Sequence, residues 1–354
     1  MTWFQRLLHR PFFIRLLHWE YWSFNTVYIP IYLVWLGLCL RARSLFFFAA
    51  SNPGIKNGGF LNESKKEIFP LIPSSLHPAT VFFSIPACPD QVCETIGRLA
   101  MSYPLIGKPD VGGRGRGVKI LRNSQDLVTY VRQATLDFHI QEFVPYEMEA
   151  GIFYYRYPHQ ETGRISGIVG KDFLQVTGDG KRCIRELIST SPRAILQKAA
   201  LQKEYGEALG EVLAEGTRRI LVPYGNHARG AMFTDESGRI DEALTDQMDA
   251  VCRQIPGFYF GRLDIRFKSW EDLRAGRHFC IIEVNGAGSE PTHIYDPGHS
   301  LFFAWKEIIR HWVILFRISR QNHRLGIPYL SFKEGIHMFR EDKIISAKLA
   351  EMTP

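Results

Sequence analysis

Cysteine is scarce in this chain and never paired for a metal: of six in 354 residues, Cys39, Cys88, Cys93, Cys183, Cys252 and Cys280, only Cys88-x4-Cys93 stand near one another. That spacing excludes a zinc ribbon or finger, and single scattered thiols suit a reducing compartment. The Walker P-loop is missing too, since no Gly-Lys-Ser/Thr closes a glycine loop ahead of a helix. There is no internal repeat, no low-complexity tract and no recognised nucleic-acid module. The net charge of +7 is therefore read as favouring a membrane surface and no nucleic acid. Acids are nearly absent from the first fifty residues, where Glu20 stands alone, and Tyr21 to Leu40 carries no formal charge. No small-residue cleavage site follows that run, so a removable signal peptide is not expected.

What those fifty residues have instead is aromatic and basic. Trp3, Phe4, Phe12, Phe13, Trp19, Tyr21, Trp22, Phe24, Tyr28, Tyr32 and Trp35 come with Arg6, Arg10, Arg15, Arg41 and Arg43. A bilayer span needs about 20 residues, which the uncharged stretch just reaches, yet Ser23, Asn25, Thr26 and Pro30 sit in its first half. An interfacial or re-entrant association fits this pattern better than a span, with a buried packing helix as the remaining reading.

Two segments carry the chemistry, Phe260-Gly-Arg-Leu-Asp-Ile-Arg-Phe267 and Phe279-Cys-Ile-Ile-Glu-Val-Asn-Gly-Ala-Gly288. Apolar and polar residues alternate in each, which predicts strands. Glu283 and Asn285 are two apart and leave the same face. If the first segment lies alongside, Asp264 joins them with Arg262 beside it. Two carboxylates and an amide oxygen form a hard-cation set, best suited to Mg2+.

Upstream, Tyr103 to Leu121 predicts a short strand delivering Lys108, a loop with Gly112, Gly113, Gly115 and Gly117, and a returning strand. Glycines let backbone N–H groups approach phosphate oxygens, and the lysine adds a point charge. Plain β-turns use the same glycines. Next come a strand and Pro turn with Glu142 and Glu149, a strand with Lys171, and the turn Thr177-Gly-Asp-Gly-Lys181 opening a helix. Asn226 and Arg229 follow, near the start of another strand.

In this order the motifs from about Tyr103 to Asp296 resemble the ATP-grasp superfamily. Within it they are similar to the carboxylate-amine ligases, the group of D-alanine:D-alanine ligase, glutathione synthetase and cyanophycin synthetase. The Thr177-Gly-Asp-Gly-Lys181 turn is similar to the cyanophycin synthetase type, and Asn226-x-x-Arg-Gly230 to the ribosomal glutamate-adding ligases. The resemblance implies an α/β (α+β) fold, with two α+β lobes holding ATP between them behind a short aromatic-rich N-terminal segment. It implies that Lys108 contacts the α and β phosphates, that the Gly112 to Gly117 loop covers the triphosphate, and that Glu142 and Glu149 hold adenine and ribose. Lys171 would lie against adenine or the phosphates. Asp264, Glu283 and Asn285 would bind two Mg2+ ions, with Mn2+ a substitute, and Arg262 would stabilise the transferred phosphoryl group. Arg229 would face phosphate or a substrate carboxylate, with Ser289 near the substrate.

The expected activity is ATP-dependent joining of a small-molecule or lipid-linked carboxylate to an amine through an acyl phosphate. A phosphotransferase acting on a hydroxyl, and a nucleotide-binding protein without turnover, are the alternatives. The catalytic part is expected in the cytoplasm, at the inner face of the membrane. One departure is that the family's small first domain ends in a lysine ahead of the stretch equivalent to Thr80 to Ser84, where this chain has Ala79. Residues 1–50 are expected as the membrane-associating segment, 51–100 as an abbreviated region, 101–300 as the ATP-grasp domain and 301–354 as a helix and tail. Composition favours a connector over residues 50–66, with presentation of Glu63 and Lys65 to an acceptor as the other reading. Leu301 to Arg324 predicts one helix, packed through Ile308, Ile309, Trp312, Val313, Leu315 and Phe316, with a basic outer side.

Overall fold

The computed structural model describes residues 10–352 except Arg114 and Tyr224; Trp3, Phe4 and Arg6 of the aromatic segment lie outside the described residues. The strands are β1 (Thr80–Phe83), β2 (Leu105–Pro109), β3 (Lys119–Leu121), β4 (Phe138–Glu142), β5 (Met148–Tyr155), β6 (Arg164–Asp172), β7 (Leu174–Thr177), β8 (Arg218–Val222), β9 (Met232–Asp235), β10 (Phe260–Phe267) and β11 (Phe279–Asn285). Helices and strands are mixed, the α+β class expected. The compact units do not follow the linear division. One comprises Leu33–Val169, Glu236–Pro291 and Ile308–Pro354; the other comprises Met1–Tyr32, Gly170–Asp235 and Thr292–Glu307.

The larger unit has two sheets. One is four-stranded in the order β1-β4-β2-β3, antiparallel throughout. Val92, Ile96, Leu127 and Tyr130 from the helices Pro89–Arg98 and Ser124–Gln133 close the core on Leu105, Phe138 and Ile140. In the other sheet β11, β10, β5 and β6 run side by side. The alternation of β10 divides its faces: Leu263, Ile265 and Phe267 enter a core with Leu244, Met248, Ile281 and Val284, which leaves Arg262, Asp264 and Arg266 for the polar face.

The stretch expected as a connector is instead fastened to this second sheet. Asn52 is wholly buried. Its amide donates to the carbonyls of Gly58 and Phe260 and accepts from the N–H groups of Tyr259 and Phe260, at 2.8–2.9 Å. Gly58 and Gly59 in turn accept from the N–H groups of Ala287 and Gly288. This close backbone approach ends β11 at Asn285, three residues short of the predicted segment. Asn52→Ala strips partners from several buried groups and is expected to cost about 3 kcal/mol, read as a lower urea midpoint at unchanged slope.

In the smaller unit β7 pairs with β8, and Leu174, Val176, Ile184, Leu187, Leu213 and Leu221 form the core. Residues 10–32 of the N-terminal segment belong to it. Buried Glu20 binds Arg193 at 2.7 Å and faces His227 at 3.0 Å, while Trp19 donates to the carbonyl of His299. Burial by itself would raise the Glu20 pKa; the hydrogen bond from His227 and the Arg193 charge outweigh it and hold the carboxyl below its usual range.

The helix Leu301–Arg324 has the predicted bounds. Ile308, Leu315 and Phe316 are buried, whereas Arg310, Arg317, Arg320 and Arg324 are exposed. The expected tail is a second helix, Phe332–Met352. Ser331 and Glu334 exchange hydrogen bonds at its start, a capping box.

Candidate active site

β10 and β11 pair antiparallel with Arg262 opposite Asn285 and Asp264 opposite Glu283. Opposed residues share a face, so the four side chains predicted to converge do so. The register then shifts, Ile265 facing Ile281, and Ile282 is the extra residue of a bulge. Its carbonyl accepts from Lys108 Nζ at 3.3 Å. Lys108 is buried, donates to Gln141 Oε1 at 2.9 Å, and its ammonium stands 4.6 Å from the Phe69 ring centre. Burial, reinforced by the nearby Lys65 charge and opposed by Glu283, brings the Lys108 pKa down to about 7.

Asp264 is buried and meets Arg262 through two contacts, 2.9 Å from Nε and 3.2 Å from Nη2. Arg262 also donates to the Glu290 carbonyl. Glu283 Oε1 lies 3.6 Å from Lys65 Nζ. The Asn285 amide nitrogen is buried with no partner. A half-turn of that amide exchanges nitrogen for oxygen, so the face offers two carboxylates and an amide oxygen. This donor set fits Mg2+ or Mn2+ by type. Among the described residues no group of three or more His, Cys, Asp or Glu is arranged to hold a metal, so the set counts the Asn285 amide as its third donor.

The glycine loop is the β2–β3 hairpin expected. Gly117 has φ +70°, and a Cβ there would meet the Pro109 ring; a Cβ on Gly112, φ +144°, would meet the Leu349 side chain. The C-terminal helix therefore packs on the loop. Gly113 has open space around its Cβ position, and Gly115 also has a positive φ. Ser289 Oγ donates to the Asn285 carbonyl at 3.2 Å.

Glu149, Glu142, Lys171 and Arg229 come from other elements. Glu149, expected at ribose, is buried and ion-paired with Arg266, directly across on β10, at 3.1 Å. Its charge is balanced within the sheet. Glu142 ends β4 and is exposed. Lys171 and Arg229 belong to the smaller unit. Lys171 is buried on β6, and Arg229 ends a short turn begun by Asn226, whose side chain accepts from the Ala228 N–H at 2.8 Å.

The stretch read chiefly as a connector adds two groups. Glu63 accepts from the Gly286 N–H at 2.5 Å, and burial lifts its pKa to about 7. Lys65 donates to the carbonyls of Asp110 and Gly112, each at 3.2 Å. Both line one cleft with Phe69, Gly112 and Glu283. The local signal for this was Ser64, which caps the turn Lys65–Ile68.

No protein-family model matches the chain, and no curated protein matches it. Among solved structures it is similar to a bifunctional glutathione synthetase from Pasteurella multocida, at 13% identity and TM-score 0.37, covering 71% of this chain and 35% of that one. It is similar to a D-alanine–D-alanine ligase from Bacillus anthracis complexed with ATP, at 11% identity and TM-score 0.39, covering 80% and 69%. A D-Ala:D-Ser ligase from Enterococcus faecalis is similar at 12% identity and TM-score 0.39, covering 72% and 61%. The chain thus spans about a third of the first and three-fifths of the last.

Proposed function

We propose that this chain is an ATP- and Mg2+-dependent carboxylate-amine ligase of ATP-grasp type. The observation that carries the reading is the register of β10 on β11, Arg262 opposite Asn285 and Asp264 opposite Glu283, with Lys108 brought to the Ile282 carbonyl of the same strand. Cation ligands, an arginine, a lysine and a glycine hairpin collected at one face are what phosphoryl transfer requires, because positioned charge does most of that catalysis.

A substrate carboxylate oxygen attacks the γ-phosphorus and ADP leaves; the amine nitrogen then attacks the acyl carbon, phosphate leaves and a proton is lost. Asp264, Glu283 and Asn285 would hold Mg2+, which neutralises phosphate oxygens when bound. Arg262 stabilises the transferred group, and the glycine hairpin excludes water from the acyl phosphate. Phosphate release measured with ATP, Mg2+ and pooled amino acids or envelope precursors tests this. Release that needs both a carboxylate and an amine supports the ligase; a phosphorylated product without free phosphate overturns it in favour of a kinase.

The site is proposed to work at the inner face of a membrane on a lipid-linked or envelope precursor. The helix Tyr32–Ala42, which lies in the larger unit from Leu33 on, packs Trp35, Leu38 and Cys39 on Phe47 and its neighbours, yet Leu33, Leu36 and Leu40 on its other side are 78%, 48% and 71% exposed. Arg41 and Arg43 follow, and the exposed arginines of the long helix add to them. One face packed on protein and the other apolar beside cations suits the interface rather than a span. A Leu33→Glu, Leu36→Glu, Leu40→Glu protein is expected to stop floating with anionic liposomes that carry the wild type; equal flotation removes the membrane reading. Substitutions are the right probe, since deleting the N-terminus would strip Glu20 from Arg193.

A further inference from the structure

The helix Phe332–Met352 runs from an aromatic cluster to the glycine hairpin. At 21 residues it spans about 30 Å. Near its start a Cβ on Gly335 would strike the Phe46 ring, and Phe46 also meets Phe332 and Phe339, each with ring centres 6.3 Å apart. Phe339 reaches Phe60, which stacks on Phe48, and Phe48 meets Trp35 of the helix Tyr32–Ala42. The two helices thus share one cluster. Further along, the Met338 carbonyl accepts from the buried Asn62 amide at 3.0 Å. At the far end Thr135 Oγ1 donates to the Lys348 carbonyl, Leu349 packs on Gly112, and Met352 joins the core of the four-stranded sheet. Arg116 of the hairpin is close enough for its charge to act on Asp342. The helix is fastened at both ends.

Its first half has a patterned outer side. Phe332 and Phe339 are seven residues apart, so they lie on one side at a separation of two turns, and they are 66% and 46% exposed. Lys343 follows four residues on, and Lys333 and Arg340 stand beside the two rings; all three cations are exposed. The acids of this half are otherwise engaged. Glu334 accepts from the Ser331 N–H, Glu341 faces Lys56 at 3.9 Å, and Asp342 is partly buried near Arg116. Exposed rings bordered by cations match an anionic bilayer surface, with apolar groups at the acyl boundary and charges among the headgroups. The surface also continues toward the leucines already assigned to the membrane, because half-exposed Leu45 directly precedes Phe46.

We infer that the helix Phe332–Met352 seats on an anionic bilayer through Phe332 and Phe339, with Lys333, Arg340 and Lys343 at the headgroups, and that the seated helix steadies the glycine hairpin, so that lipid tightens nucleotide binding. This rests on both the membrane reading and the ATP reading. A helix held by lipid at one end is less free at the other. Lipid and nucleotide then favour the same conformation, and each binds better with the other present.

Two measurements on the full chain test this: amide hydrogen exchange across Gly112 to Gly117, and titration with Mg-ATP. Each is made with phosphatidylserine-containing vesicles, with phosphatidylcholine vesicles and with none. On the anionic vesicles alone the wild type is expected to exchange more slowly over the hairpin and to bind Mg-ATP roughly fivefold or more tightly. Phe332→Glu with Lys343→Glu is expected to lose both effects while keeping its melting temperature and its ATP affinity in buffer. Both positions are exposed, and a carboxylate in the first turn suits a helix N-terminus. Should that protein not fold, Arg340→Glu with Lys343→Glu, which leaves both rings in place, is expected to lose the same effects. If the wild type floats with anionic vesicles yet its hairpin exchange and ATP affinity do not change, the inference falls and both earlier readings stand. Equal gains in the variants put the lipid contact elsewhere and overturn it as well. A wild type that does not float removes the membrane reading, one that binds no ATP under any condition removes the ATP reading, and either takes the inference with it.

Discussion

Glu283→Gln abolishes turnover, by about 10²–10³-fold or more in kcat, while the protein folds as before. The two halves of this expectation have separate causes. Glutamine keeps the shape of the side chain and removes the one carboxylate of the proposed Mg2+ set not already paired with an arginine, since Asp264 is held by Arg262. Folding is insensitive because Glu283 is about a third exposed and meets Lys65 only at 3.6 Å; such a pair contributes roughly 0–1 kcal/mol. Asp264→Asn is the less clean experiment. Asp264 is 4% exposed, and removing its charge takes from buried Arg262 the carboxylate it is hydrogen-bonded to, a loss of about 3–5 kcal/mol that would confound any activity measurement. Melting curves and phosphate release on both variants separate the cases. Wild-type turnover in Glu283→Gln, with its melting temperature unchanged, refutes the metal role of this face.

How much of this was legible in the sequence follows from the range over which each feature is set. β2, β4, β10 and β11 were readable because alternation is local, and the shared face of Glu283 and Asn285 follows from a spacing of two. The bulge at Ile282 was not, because it exists only where β11 meets β10. Asparagine and glycine around residues 50–66 read as a connector, yet Asn52 is ordered by Phe260, 208 positions away. Glu20 read as a stray acid in an aromatic segment, and its partners Arg193 and His227 are equally remote in sequence. Glu149 drew a ribose role from its place after the Pro turn, whereas the arginine two positions past Asp264 lies opposite it. The C-terminal helix did have a local mark, Ser331 and Glu334 at capping-box spacing, in a stretch taken for tail. Its packing of Leu349 on Gly112 ties this helix to the glycine hairpin, a relation no local pattern carries.

Lys108→Met is expected to abolish ATP binding without unfolding the protein, and the pH dependence of the wild type shows why. In the folded chain the Lys108 pKa is about 7 against an ordinary 10.5, burial being the chief cause. The unfolded chain keeps its proton up to the higher value. Unfolding therefore takes up a proton between the two, and stability rises with pH across that window. Below about pH 7 the cost of holding a buried ammonium is fully present, on the order of a few kcal/mol. Methionine removes that cost. It also leaves Gln141 Oε1 without its donor, so the gain is partial, but the rise of melting temperature from pH 7 to 9 should flatten in the variant. Binding runs the other way. A triphosphate beside Lys108 favours the ammonium, so ATP binding at pH 8 draws in a proton and its affinity falls as pH rises past about 7. Calorimetry in buffers of different ionisation heat measures that uptake directly. No proton uptake in the wild type, or ATP affinity in Lys108→Met equal to wild type, would place the triphosphate elsewhere. A lysine kept at a cost to the fold, and repaired by methionine only at the expense of nucleotide, is best explained by an anion that the folded chain is built to receive.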